Sequence, residues 1–365
     1  MKQKRLHLHL WVVSLLLFTA CAPASTPVAT ATIKPTQEPV STVAESSTQT
    51  AAPTALNEPS YTNPVYDNDF PDPHIIRVDD TYFAYGTTNG SSINIRVMSS
   101  PDLLEWENLG DALPAIPKWA MLNSGFTWAP GVMQIEDQFV MYFVARDKES
   151  DRQCIGVGVS EDPAGPFLDP NEEAFICQSD LGGSIDAYPF QDDDGKLYLF
   201  WKNDGNCCNL EVALWVQELS PDGLTLVGEP VKLITRDQPW ERPLIENPAM
   251  VEQNDKYYLF YSANWWESHE YAIGYAVCET VTGPCEKPLS KPWFDYEAPV
   301  MGPGGQAFFT DEEGDLWMVY HAWTGAKVGY PEGERSLHID LVTFEGDRPV
   351  TNGPTYSPQL LPQDK

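Results

Sequence analysis

Three carboxyl side chains, Asp72, Asp186 and Glu246, each stand ten or eleven residues before a short aromatic run. Tyr82 opens YFAYG, Leu197 opens LYLFW and Tyr257 opens YYLFY. Two further runs, FVMYF from Phe139 and LWMVY from Leu316, fit the series, and the five starts are 57, 58, 60 and 59 residues apart. Such spacing brings distant residues to equivalent places. Carboxyls gathered in this way can do acid/base work. Crowding raises the pKa of at least one of them, so one group can give a proton while another takes one. The other two repeats hold Trp128 and Gly305-Gln306 at that place, so the acids do not simply decorate every unit.

The repeats must supply the frame. Each begins with an apolar segment (HIIRV, GVMQI, AYPFQ, AMVEQ, QAFFT), continues through an Asp/Asn/Gly turn, and enters the aromatic run. Such turns join hairpins. A third strand follows (INIRVMSS, IGVGVS, EVALWVQEL, YAIGYAV, SLHIDLV), and segments such as 103–106 and 224–227 supply a fourth. Trp, Tyr, Val, Ile and Phe dominate with a period nearer two than 3.6, which excludes helical repeats. Five four-stranded units predict an all-β protein, a single five-bladed β-propeller over 60–360, closed by the segment around Tyr61–Tyr66. The three acids then sit at the mouth of the central channel, where prolines cluster.

Ahead of the propeller, residues 1–20 read as a signal peptide: Lys2, Lys4 and Arg5 precede an apolar stretch from Leu10 to Phe18. Phe18-Thr19-Ala20-Cys21 resembles a bacterial lipobox, which implies lipidation at Cys21, export, and a cell-surface or periplasmic lipoprotein whose only membrane contact is that anchor. Ordinary secretion is the alternative. Residues 21–59, rich in Thr, Pro, Ala and Ser, read as a disordered tether. The formal charge of −31 excludes nucleic acid as a partner and suits neutral sugars. Six cysteines follow Cys21. Cys154 with Cys177 and Cys278 with Cys285 flank Gly-Pro turns as disulfide candidates. Cys207 and Cys208 form a vicinal disulfide or stay unpaired, with zinc as the alternative to disulfides.

The chain resembles a family 43 glycoside hydrolase. The resemblance is carried by Asn63-Pro64-Val65 with Phe70-Pro71-Asp72-Pro73, Trp128-Ala129-Pro130, Gly183-Ser184-Ile185-Asp186, Ile245-Glu246-Asn247-Pro248 and Gly302-Pro303-Gly304-Gly305. It implies an inverting hydrolase of plant cell-wall pentose polymers. Asp72 would be the general base, Glu246 the general acid, and Asp186 the residue that orients Glu246 and keeps it protonated. In inverting enzymes base and acid stand about 6.5–9.5 Å apart. Arg335 matches an arginine that binds a substrate hydroxyl, and Trp128 is the candidate platform for a sugar face. No cofactor is needed for the chemistry. Many members place a histidine on the channel axis to support calcium or sodium. Here Gly305 and Gln306 stand in that segment, leaving Gln306 and His321 as candidate ligands of an axial calcium ion. The expected activity is that of an exo-acting α-L-arabinofuranosidase or β-xylosidase, working as a monomer on arabinose- or xylose-containing chains. The alternatives are an endo-1,5-α-L-arabinanase and a non-catalytic carbohydrate-binding propeller.

Overall fold

A computed structural model describes residues 60–88, 93–122, 125–325 and 327–361. The signal peptide at 1–20, lipidation at Cys21 and the whole tether over 21–59 lie outside the described residues. Strand β1 (Ser60–Tyr61) precedes blade one: β2 (His74–Val78), β3 (Thr81–Thr87), β4 (Ile95–Ser100) and β5 (Glu107–Asp111). Blade two has three strands, β6 (Trp128–Ile135), β7 (Gln138–Arg146) and β8 (Gln153–Ser160). Blade three comprises β9 (Ser184–Gln191), β10 (Leu197–Asn203), β11 (Ala213–Leu219) and β12 (Leu226–Thr235). Blade four comprises β13 (Ile245–Gln253), β14 (Lys256–Ala263), β15 (Ala272–Cys278) and β16 (Cys285–Glu286). Blade five comprises β17 (Val300–Thr310), β18 (Leu316–Thr324), β19 (Arg335–Glu345) and β20 (Arg348–Thr351), and β21 (Gln359–Leu360) pairs with β1.

Every blade is antiparallel, and its first strand touches the first strand of the next. β2 meets β6, β6 meets β9, β9 meets β13, β13 meets β17, and β17 returns to β2. These contacts make the five-bladed propeller. The ring is sealed where the N-terminal segment joins blade five. Val65 N–H donates to the Leu337 carbonyl (2.9 Å). The buried Asn63 side chain brackets Ile339, donating to its carbonyl (2.7 Å) and accepting its N–H (3.0 Å). Residues 63–66 thus lie against the first half of β19, and β20 pairs with its second half.

Two local expectations need correction. The outer strand of blade one starts at Glu107, because 103–106 bends, with Asp102 Oδ1 accepting the N–H groups of Leu104 and Glu105. Among the described residues, blade two has no regular fourth strand, and Leu168 makes an isolated bridge to Val159. The aromatic runs bury both faces. All seven residues of β10 and the whole interior of β7 are buried. Each blade is sandwiched by two neighbours, and aromatic rings fill the layers between. Phe260 meets Phe308 at 4.6 Å, Tyr82 meets Phe309 at 5.9 Å, and Tyr258 meets Phe344 at 4.9 Å. Disulfides join Cys154–Cys177, Cys207–Cys208 and Cys278–Cys285.

Candidate active site

The inner strands do not run straight into the mouth. In β6 the pairing steps from Trp128–Val144 to Gly131–Tyr142, in β9 from Ile185–Lys202 to Tyr188–Phe200, and in β13 from Glu246–Ser262 to Ala249–Phe260. Each is a bulge of one extra residue, the device by which a strand re-aims a side chain. A left-handed residue marks it: φ is 49° at Asp72, 41° at Ala129, 59° at Asp186, 49° at Asn247 and 63° at Gly305. Short polar Asp and Asn tolerate this conformation better than most residues.

The bulges refine the repeat register. Asp72 and Asp186 occupy the left-handed position, together with Ala129, Asn247 and Gly305. Glu246 stands one residue earlier, aligned with Trp128, Ile185 and Gly304. Counting back from the aromatic runs hid this offset. The hairpin of blade three has five residues between β9 and β10, whereas β13 and β14 are joined by two.

All five residues singled out from the sequence for chemistry or sugar contact (Asp72, Asp186, Glu246, Arg335 and Trp128) line one cavity of about 230 Å3. Asp72 Oδ2 accepts the Thr87 hydroxyl at 2.6 Å, and Thr87 Oγ1 in turn accepts the Ala129 N–H at 2.8 Å, tying blade two to the acid. Arg335 Nη1 lies 3.4 Å from Asp72 Oδ1. The guanidinium sits over Trp266 (4.7 Å to the ring centre) and Tyr330 (5.6 Å), and its Nε donates to the Tyr330 hydroxyl at 3.1 Å. An aromatic cage of this kind holds a planar cation in one orientation. Burial raises the pKa of Asp72; Arg335 and Thr87 pull it back, and the charge of Glu246 pushes it up again.

Glu246 is 7% exposed and accepts at both oxygens. Lys202 Nζ is 2.8 Å from Oε2, and the Tyr271 hydroxyl donates to Oε1 at 2.9 Å. Asp186 Oδ2 accepts the N–H of Asn247, the residue after Glu246, at 3.1 Å, so it fixes the backbone that carries the glutamate. Burial, then the charge of Glu246, hold the Asp186 carboxyl well above the ordinary range, while Lys202 opposes them. Lys202 was not singled out by sequence reasoning. It is 1% exposed at the mouth end of β10 and also lies 3.7 Å from Asp204 Oδ1. Burial disfavours its charge, but Glu246, Asp204 and Asp186 outweigh burial and hold the ammonium above its usual range. The signal was present: a lysine inside the apolar run LYLFWKN has no surface to face.

Trp128 is half-buried, packed partly on the core between blades two and three and edge-on to Phe126 at 5.6 Å, with the rest in the cavity. Gln306 and His321 lie outside that cavity. Gln306 accepts the Ser262 hydroxyl (2.7 Å) and donates to the Asn247 carbonyl (2.6 Å). His321 is fully buried; its Nδ1 accepts the Asp72 N–H at 3.0 Å, and its Nε2 has no hydrogen-bond partner. Burial drives its pKa well below the ordinary value, so the ring is neutral. Gly305 lets this ring in, since a Cβ there would stand 2.4 Å from Nδ1. Calcium takes six to eight oxygen ligands. Gln306, whose oxygen already accepts the Ser262 hydroxyl, and His321, which offers a nitrogen, supply only part of such a set. Among the described residues, the one His/Cys/Asp/Glu grouping close enough for an ion is Asp147 with Cys154 and Cys177, whose sulfurs are joined to each other.

Fold and site together define a five-bladed propeller with a carboxyl-lined pocket at one end of its channel. Residues 61–349 match the family model described as glycosyl hydrolases family 43, and the chain belongs to that family. A solved structure of a thermostable family-43 glycoside hydrolase superposes with a TM-score of 0.73 at 33% identity, covering 84% of this chain and 99% of that one. The beta-D-galactofuranosidase of Aspergillus niger is 27% identical over 71% of this chain and 75% of its own length. The arabinoxylan arabinofuranohydrolase of Paenibacillus polymyxa is 29% identical over 70% of this chain and 43% of its own length.

Proposed function

We propose that this chain is an exo-acting, inverting glycoside hydrolase that removes terminal α-L-arabinofuranosyl or β-D-xylosyl units, working as a monomer. The observation that carries the reading is the meeting of Asp72 and Glu246, from the non-adjacent blades one and four, in a single cavity with Asp186 and Arg335. The Asp72 carboxylate takes a proton from water, whose oxygen bonds to the anomeric carbon. The bond from that carbon to the leaving oxygen breaks, and Glu246 gives its proton to that oxygen. Arg335 opposes the burial that raises Asp72 and orients its carboxyl, and Asp186 positions Glu246. A volume of about 230 Å3, below the roughly 300–1,000 Å3 of sites for drug-sized ligands, suits one sugar ring better than a chain. Trp265 and Trp266 wall it on the side of blade four.

The test is a panel of 4-nitrophenyl α-L-arabinofuranoside, β-D-xylopyranoside and β-D-galactofuranoside with linear arabinan, following the first anomer by proton NMR. Turnover of one aryl glycoside with an inverted anomer and single sugars from chain ends is expected. A retained anomer removes the base assignment, internal cleavage of arabinan favours the endo-arabinanase, and binding without turnover favours a carbohydrate-binding propeller.

We also infer from the lipobox-like Phe18-Thr19-Ala20-Cys21 that the exported chain is lipidated at Cys21. Labelled palmitate is expected in the wild-type protein and not in Cys21→Ser; equal labelling of the two excludes it.

A further inference from the structure

Between β10 and β11 the chain makes a short 3-10 turn, Gly205–Cys208. Its surroundings are closely fitted. A Cβ on Gly205 would stand 2.3 Å from the Glu211 carbonyl oxygen, and one on Gly182 would stand 2.4 Å from that of Asp204. Several of its polar groups are paired. Asp204 N–H donates to the Gly183 carbonyl (3.1 Å), Cys207 N–H to that of Asp204 (3.2 Å), and Leu210 N–H to that of Gly205 (2.9 Å). The Asn203 amide donates to the carbonyls of Leu181 and Glu211. Cys207 and Cys208 are joined to each other, which closes a small ring at the end of the turn.

One polar atom is left over. Asn206 Oδ1 is shielded from solvent and has no hydrogen-bond partner, and Asn206 lines the same cavity as Glu246, Asp186 and Lys202. An unpaired amide oxygen in such a place is costly unless a ligand completes it. The neighbours say what kind of ligand. Lys202 is already matched to Glu246 and Asp204, and the ammonium disfavours a second cation beside it. The four carboxyls of the pocket disfavour an anion. A neutral O–H donor remains.

We propose that Asn206 is a specificity residue. Its amide oxygen accepts a hydroxyl of the bound sugar on the Glu246 side of the pocket, and the turn closed by Cys207–Cys208 holds it in place. This rests on the glycosidase reading above. A small turn of the side chain brings the oxygen to the sugar, and the ring limits how far the backbone beneath it can move.

The experiment compares wild type with Asn206→Ala on a 4-nitrophenyl glycoside and on the matching disaccharide, arabinobiose or xylobiose. KM is expected to rise about tenfold with kcat within about twofold, the size of one lost neutral hydrogen bond. A rise on both substrates places the hydroxyl on the sugar being released. A rise on the disaccharide alone places it on the leaving sugar. An unchanged KM on both overturns the proposal. Cys207→Ala/Cys208→Ala is expected to raise KM in the same direction and to be unmoved by the reductant TCEP, which raises KM for the wild type. Wild-type KM that ignores TCEP overturns the positioning by the disulfide. If the wild type turns over no glycoside at all, the glycosidase reading fails first and this inference falls with it.

Discussion

Glu246→Gln is expected to lower kcat by about 10²–10⁴-fold on a disaccharide while leaving substrate binding nearly intact. The same variant should lose no more than about tenfold on a 2,4-dinitrophenyl glycoside, because that leaving group departs without a proton. The argument starts from shape. Glutamine keeps an oxygen for Lys202 Nζ, 2.8 Å away in the wild type, and a polar partner for the Tyr271 hydroxyl at 2.9 Å. What it lacks is the proton delivered to the leaving oxygen. Asp72→Asn is the contrasting case. A missing base is missed equally by every leaving group, so both substrates should slow together. The pair of variants separates two carboxyls that sit in one cavity and are otherwise hard to tell apart. Equal losses on both substrates for Glu246→Gln would remove Glu246 as the acid. Asp72→Asn with wild-type turnover would remove Asp72 as the base.

The frame of this site was open to view in the sequence for a physical reason. Inner strands such as HIIRV, and the aromatic runs after them, declare themselves through local composition, and hairpin turns declare themselves through Asp, Asn and Gly. HIIRV is β2 residue for residue, and the other four apolar segments fall inside β6, β9, β13 and β17. The acids were legible because repetition converts sequence spacing into spatial equivalence. Features that depend on another blade were not. Lys202 is explained by Glu246 on blade four and Thr87 in part by Ala129 on blade two, while Gly305 answers to a histidine ring from the neighbouring strand β18 of its own blade. The cage around Arg335 draws Trp266 and Tyr330 from different loops. Gln306, a candidate axial ligand in the sequence, is bonded at both ends across the blades, to Ser262 and to Asn247, and no local signal shows this. A one-residue offset such as that of Glu246 depends on hairpin length, and counting from one landmark cannot detect it.

Lys202→Met should therefore have the largest effect outside the proposed acid and base, and it should act on stability and pH dependence together. The side chain is 1% exposed, with Glu246 at 2.8 Å and Asp204 at 3.7 Å. Removing one partner of a buried ion pair leaves an uncompensated charge and costs about 3–5 kcal/mol. A clear drop in melting temperature at neutral pH follows. The sign of the pH effect is set by Asp186. Its carboxyl is already held well above the ordinary range by burial and by Glu246, and Lys202 is the cation that opposes them. Without that cation the folded protein holds a proton among these acids more tightly than the unfolded chain does. The stability deficit of the variant should then shrink as pH falls toward the raised range of Asp186 and widen as pH rises. Activity moves with the same proton. In the wild-type structure both Glu246 oxygens accept, from Lys202 and from Tyr271. On the proposed mechanism the acid must be protonated to act, so a pocket that keeps its proton longer stays active to higher pH. The alkaline limb of kcat/KM in Lys202→Met is expected to move to higher pH. Thermal melts from pH 5 to 8 and a kcat/KM profile over the same range measure both. An alkaline limb that stays in place or moves down, in a variant that melts like the wild type, would mean that Lys202 neither balances the pocket nor governs its proton.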